Sequence, residues 1–184
     1  TQLQQQKVIG CAMAIVDHGN IIFMKSYGVL KQGKKAPVNK STLFQLGSIS
    51  KPITATLIAK LIKDQYLKLD MSARNFTDSV STKTTLWHIL SHTTGYSRQQ
   101  WNQKIEAATP RSLLLKALKE TVNIPGKNFD YHNLAFSLVE EAVSTTMNDS
   151  FQAILKSRLL TPLGMKDTTI GSMDFAHIPN FASP

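Results

Sequence analysis

Residues 8 to 16 are apolar almost throughout and too few for a good helix, so they read as a buried strand. Asp17, His18, Gly19 and Asn20 form a turn cluster, and residues 21 to 27 resume an apolar strand, which predicts a β-hairpin. A polar stretch at 31 to 41 follows, and residues 42 to 46 read as a short extended piece ending at Gly47. From Ser48 the period changes. Ile49, Ile53, Leu57, Ile58, Leu61 and Ile62 recur at helical spacing, and this helix fades near Asp64 or Gln65. Ser48 or Ser50 is placed to cap it, and Pro52 is tolerated because it falls in the first turn. Further helices are predicted at 84–92, 110–121, 133–147 and 149–160, with Pro125-Gly126 and Pro162-Leu163-Gly164 as breaks.

This order is α+β: an antiparallel sheet with flanking helices, then a mostly helical part. Two or three N-terminal strands cannot make a covered sheet alone. Only Thr168-Thr169-Ile170 offers a short strand later on. Either helices cover a minimal sheet, or the remaining strands lie in sequence beyond this chain.

Composition narrows the classes. The chain has 184 residues, 42% hydrophobic and 18% charged, which suits one globular domain and excludes a disordered or collagen-like chain. No run reaches the roughly 18 apolar residues of a membrane span. Cys11 is the single cysteine, so neither an intramolecular disulfide nor a cysteine-rich metal site is expected, and in an apolar strand it reads as a small buried hydrophobe. Net charge is +9. Nucleic acid is the reflex reading of such a balance. However, Lys31, Lys34, Lys35 and Lys40 sit in a polar loop without interleaved aromatic residues to stack bases, so a solvated face or attraction to an anionic surface is preferred. The chain starts at Thr1 with neither a basic nor an apolar leader region, so a leader has been removed or the chain trimmed.

Two segments carry candidate chemistry. Ser48-Ile49-Ser50-Lys51 is a Ser-x-x-Lys spacing, and with 16 Ser and 17 Lys chance alone supplies about 1.5 such matches. Its position gives it weight. Ser48 opens an apolar helix, Lys51 lies one turn on, and the unsatisfied amides and positive dipole end of the helix favour a developing oxyanion. An amine there acts as a base only when held neutral. The plainer alternative is a serine cap followed by a lysine whose ammonium reaches solvent. Tyr131-His132-Asn133 follows the Pro125-Gly126 break and precedes an apolar helix. Tyr131 is suited to relay a proton, and Asn133 to bind a substrate amide or orient Lys51. The alternative makes Asn133 a helix cap and Tyr131 an ordinary half-buried ring.

At this point the residues resemble a family. Residues 44 to 51, Phe-Gln-Leu-Gly-Ser-Ile-Ser-Lys, are similar to the nucleophile segment of the serine beta-lactamase and penicillin-binding-protein superfamily, and most similar to its class C-like branch. Tyr131-His132-Asn133 resembles that branch's Tyr-x-Asn motif. Residues 86 to 95 resemble its Leu-Leu-Ser-His-Thr-Ser-Gly segment, and residues 162 to 165 its Pro-Leu-Gly-Met turn. Four motifs in the right order, across about residues 8 to 171, outweigh the plainer alternatives.

The resemblance implies a single beta-lactamase-like domain over 1–184, incomplete at its C-terminus, with a sheet hairpin part (1–46) and a mostly helical part (47–171). It implies Ser48 as the acyl-accepting nucleophile, Lys51 as its activating amine, Tyr131 as the proton-transferring phenol and Asn133 as a substrate-side hydrogen-bonding group. The Ser48 backbone N–H would be half of an oxyanion hole, and His92 a structural residue of its loop. No cofactor or metal is implied. The family's third motif, Lys-Thr-Gly or His-x-Gly, does not occur after Met165, and Ile170-Gly171-Ser172 is not one. His132 stands where the family usually has a small residue.

The resulting expectation is a serine hydrolase acting on a beta-lactam, a D-Ala-D-Ala-type peptide or a small ester, periplasmic or secreted by family habit. Its partner would be a small-molecule or peptidoglycan-like substrate, with self-association possible through an exposed sheet edge. The rival is a non-catalytic binding protein or inactive fragment of the same fold. His88 and His92, four apart, have no intervening Glu or third ligand and are not expected to bind metal. Met13, Met24, Met147 and Met165 are expected to fill the core.

Overall fold

The computed structural model describes residues 5–78, 80–97, 113, 115, 118, 123–170 and 178–183. The chain forms two compact units, Thr1–Ser48 with Thr169–Pro184, and Ile49–Thr168.

In the first unit, β1 (Gly10–Asp17) and β2 (Asn20–Gly28) make a two-stranded antiparallel sheet with Cys11 opposite Tyr27 and Ile15 opposite Phe23. His18 (φ 46°) and Gly19 (φ 79°) turn the hairpin, two successive left-handed residues that match the strand twist. A bulge after Ile15 puts Val16 opposite Ile21. At the open end a Cβ on Gly28 would lie 2.1 Å from the Ile9 carbonyl oxygen, so only glycine fits there. The extended piece expected at 42–46 is used in pairing. Leu43 forms a parallel bridge to Phe181, its N–H donating to Asn180 O and its carbonyl accepting from the Ala182 N–H, both at 2.9 Å.

The hairpin forms as expected, but its burial does not. Val16 is 62% exposed, Ile22 64% and Met24 51%, and Met13, Ile15 and Ile21 are similarly open. An unbroken apolar run specifies a strand with two apolar faces without specifying what covers them. Met13 and Met24 are therefore surface residues, Met147 and Met165 are half-buried, and Cys11 is half-buried rather than enclosed.

The second unit is helical. It begins at Ile49, the last residue of a 3₁₀ turn (Gly47–Ile49) that leads into α1 (Ser50–Lys63), which buries Leu57, Ile58 and Leu61. Ile49, not Ser48 or Ser50, occupies the N-cap position and contributes no side-chain cap, which explains why it is exposed despite fitting the helical period. The helix at 84–92 is shorter than expected, α2 (Leu86–Leu90), and is capped by the Thr85 and His88 side chains. The helix expected at 133–147 divides into α3 (Asn133–Phe136) and α4 (Leu138–Met147). At the division the Ser137 hydroxyl donates to Leu134 O at 2.7 Å, a local bond that competes with the helical ladder. The helix expected at 149–160 is α5 (Phe151–Leu155) followed by a π-helical turn at Lys156–Leu160. Residues 168–170 form no strand. The helix expected at 110–121 lies almost wholly outside the described residues. Helix α2 packs on α3 and α4, and Leu86, Ile89, Leu138, Val139, Ala142 and Val143 are buried at that junction.

Candidate active site

Helix α1 delivers the first group. Lys51 lies seven residues before the fully buried Ile58, two helical turns away, so the two share a face. That face turns the Lys51 stem inward from the first turn of the helix.

The second contribution comes from residues 129–136. Loop 123–126 is held against the loop after α2, with Asn123 N–H donating to Gly95 O at 3.1 Å and Gly126 N–H to Thr93 O at 2.8 Å. Gly95 permits this approach, because a Cβ there would lie 2.3 Å from Asn123 O and its φ is +85°. The chain then reaches His132 in extended conformation (φ −134°, ψ 105°). His132 is 2% exposed, and its Nδ1 accepts the Ala135 N–H at 3.2 Å, capping α3. Side chains alternate along extended backbone. With His132 pointing inward, Tyr131 and Asn133 both turn to the other side, and there they meet Lys51. Asn133 Oδ1 accepts from Lys51 Nζ at 2.7 Å, and Nζ stands 4.7 Å from the Tyr131 ring centroid and 5.6 Å from that of Phe136.

His92 lies beneath this cluster. Its ring is 4.5 Å from that of Tyr131 and 5.4 Å from that of Phe136, centroid to centroid. Its Nδ1 accepts the His132 N–H at 3.2 Å, and its carbonyl accepts the Asp130 N–H at 2.9 Å. Burial, then the Lys51 charge, lowers the His92 pKa from the ordinary histidine value. Burial also pushes His132 down to about 4, against a smaller opposing pull from Asp130. Both shifts favour the neutral ring. The buried His132 Nε2 has no hydrogen-bond partner among the described residues.

Three of the four sequence-derived residues thus come together: Lys51, Tyr131 and Asn133. The helix cap is His132, not Asn133. Ser48 lies in the 3₁₀ turn, three positions before Lys51 in the chain. His88 belongs to the cap of α2, with its Nδ1 accepting the Thr85 N–H at 3.1 Å. Sequence reasoning did not anticipate the capping role of His132 or the packing of His92 and Phe136 on the cluster. The one signal for the latter was the His92–Gly95 stretch within the third resembling segment.

A family model described as Beta-lactamase matches residues 1–179. The chain belongs to the beta-lactamase family. Among its relatives is a beta-lactamase of Pseudomonas fluorescens, 25% identical over 172 residues that cover 91% of this chain and 48% of the relative. Esterase EstB of Burkholderia gladioli is 23% identical over 188 residues, covering 90% and 48%. The solved D-alanine carboxypeptidase AmpC of Burkholderia cenocepacia is 26% identical with a TM-score of 0.80, covering 98% of this chain and 50% of that one. The chain spans about half the length of the curated relatives it matches. These names are all of hydrolases. The chain is α+β, a two-stranded antiparallel sheet with helices, and it matches about half of structures with the beta-lactamase and penicillin-binding-protein fold. Among the described residues, no helix is long and apolar enough to cross a membrane.

Proposed function

We propose that the chain belongs to a serine hydrolase that forms an acyl-enzyme on Ser48. The observation that carries this reading is the Lys51 amine, tied to Asn133 Oδ1 at 2.7 Å and set 4.7 Å from the Tyr131 ring. An amine and a phenol brought together, with a serine three positions upstream of the amine, are the parts of a nucleophile that needs no His-Asp pair.

In the proposed reaction the Ser48 Oγ bonds to the substrate carbonyl carbon while its proton passes to the Lys51–Tyr131 pair. The carbonyl oxygen becomes an oxyanion facing the Ser48 backbone N–H. Collapse breaks the C–N or C–O bond, and the leaving group takes the proton from Tyr131. Water then attacks the ester carbonyl, and Ser48 regains its proton as the acid departs. Asn133 holds Lys51 in place and offers its amide N–H₂ to the substrate.

The substrate class is an amide or ester carbonyl: a beta-lactam, a D-Ala-D-Ala-type peptide or a small ester. The net charge of +9 suits an anionic cell-envelope substrate, consistent with a periplasmic or secreted protein.

Intact mass spectrometry after incubation with a penicillin or a fluorophosphonate tests the reading. The expected result is a single adduct that maps to Ser48 and disappears in Ser48→Ala while the fold persists. Ile49 rather than Ser48 is the N-cap residue, and even a lost serine cap costs only about 1 kcal/mol, so the fold should survive this substitution. A folded chain that takes up neither reagent sinks the proposal and favours a non-catalytic binding protein of the same fold.

A further inference from the structure

The backbone on both sides of Tyr131 is held by one residue. The amide before the tyrosine, Asp130 N–H, donates to the His92 carbonyl at 2.9 Å, and the amide after it, His132 N–H, donates to His92 Nδ1 at 3.2 Å. The His92 ring also packs on the Tyr131 ring at 4.5 Å and on Phe136 at 5.4 Å, the same two rings over which Lys51 Nζ stands. His92 does this from a left-handed backbone (φ 56°), a conformation that costs a non-glycine residue free energy and persists where the surroundings enforce it.

We propose that His92 is a positioning residue for Tyr131 and Lys51, and that it works only as a neutral imidazole with its proton on Nε2. The inference rests on the serine-hydrolase reading for its kinetic consequences, but not for its structural content. A nitrogen that accepts the His132 N–H carries no proton, so the neutral ring must bear its proton on the other nitrogen. Protonation turns Nδ1 into a donor facing a donor, breaks one of the two clamps on Tyr131, and places a second cation beside Lys51. Among the described residues, the titratable and charged groups that face this ring are Lys51 from α1, and Tyr131 and His132 from the segment before α3, where Asp130 meets the His92 carbonyl through its backbone N–H and acts electrostatically on His132. Its burial and the Lys51 charge both favour the neutral form.

The test uses the full chain, with ¹⁵N NMR of the histidines and the rate of fluorophosphonate labelling of Ser48 between about pH 5 and 8. The ¹⁵N shifts are expected to show the Nε2–H tautomer of His92, and the labelling rate is expected to fall as pH drops through the His92 titration measured in the same sample. His92→Leu keeps bulk but accepts no hydrogen bond, and is expected to slow labelling at neutral pH by about tenfold or more. His92→Asn offers Oδ1 as acceptor and tolerates the left-handed backbone, so it should restore most of the rate and abolish the acid-side fall. A proton on His92 Nδ1 at neutral pH, or equal labelling of the Leu and Asn variants, would overturn the proposal. If the Leu variant fails to fold, the Asn profile and the tautomer decide. If the native chain takes no label at all, the hydrolase reading falls and the tautomer alone decides the positioning claim.

Discussion

His132 pays for its position at the centre of the Tyr131–Asn133 segment with a titration. Its ordinary value near 6.5 drops to about 4 in the fold because burial disfavours the cation, so the unfolded chain binds more protons than the folded one between those limits. The neutral ring therefore contributes its full stability above about pH 6.5, and that contribution is lost as pH falls toward 4. A shift of this size corresponds to about 3 kcal/mol. The urea midpoint should fall steeply across this window. His132→Asn, which can still cap α3 through Oδ1, should flatten that dependence; an unchanged slope would contradict the burial argument. Nothing in local propensity pointed to this cap, because histidine is not a favoured cap residue. Lys51, Tyr131 and Asn133 could each be singled out from their local positions, but only the family motifs tied them to one another, since no spacing rule joins residues 82 positions apart.

Among the elements, α1 was the most readable, because Leu57, Ile58 and Leu61 follow the helical period and bury as it requires. The boundary at Ser137 was not readable, because a serine side chain bonding back to Leu134 O leaves no trace in the apolar pattern. The loop after α2 is the element on which the site depends most directly. Gly95→Ala forces a left-handed alanine and drives its Cβ into Asn123 O. The conformation alone costs about 1–2 kcal/mol, and the collision adds to it. Loop 123–126, which leads into the Tyr131 segment, would shift. The expected outcome is a lowered urea midpoint together with slower Ser48 labelling, whereas a variant as stable and as reactive as the native chain would show that the loop contact is dispensable.

At the scale of the whole chain, the hairpin departs furthest from what its pattern implied. Its run of apolar residues fixed strand identity and the position of the turn at His18-Gly19, yet Val16, Ile22 and Met24 lie open. Strands of eight and nine residues with exposed apolar faces and few charges invite pairing with another chain. We expect the purified chain to self-associate through this sheet, with sedimentation or size-exclusion measurements showing species above monomer that Ile22→Lys reduces. A monodisperse monomer would refute that expectation.

The bond between Lys51 and Asn133 closes a segment of 82 positions, and closing so long a loop costs roughly 4 kcal/mol of chain entropy by ideal-polymer scaling. Nothing local can recover that cost in advance. The amine and the amide therefore meet only because the packing of the rest of the unit holds them together, so substitutions that loosen that packing should open the reactive cluster as well.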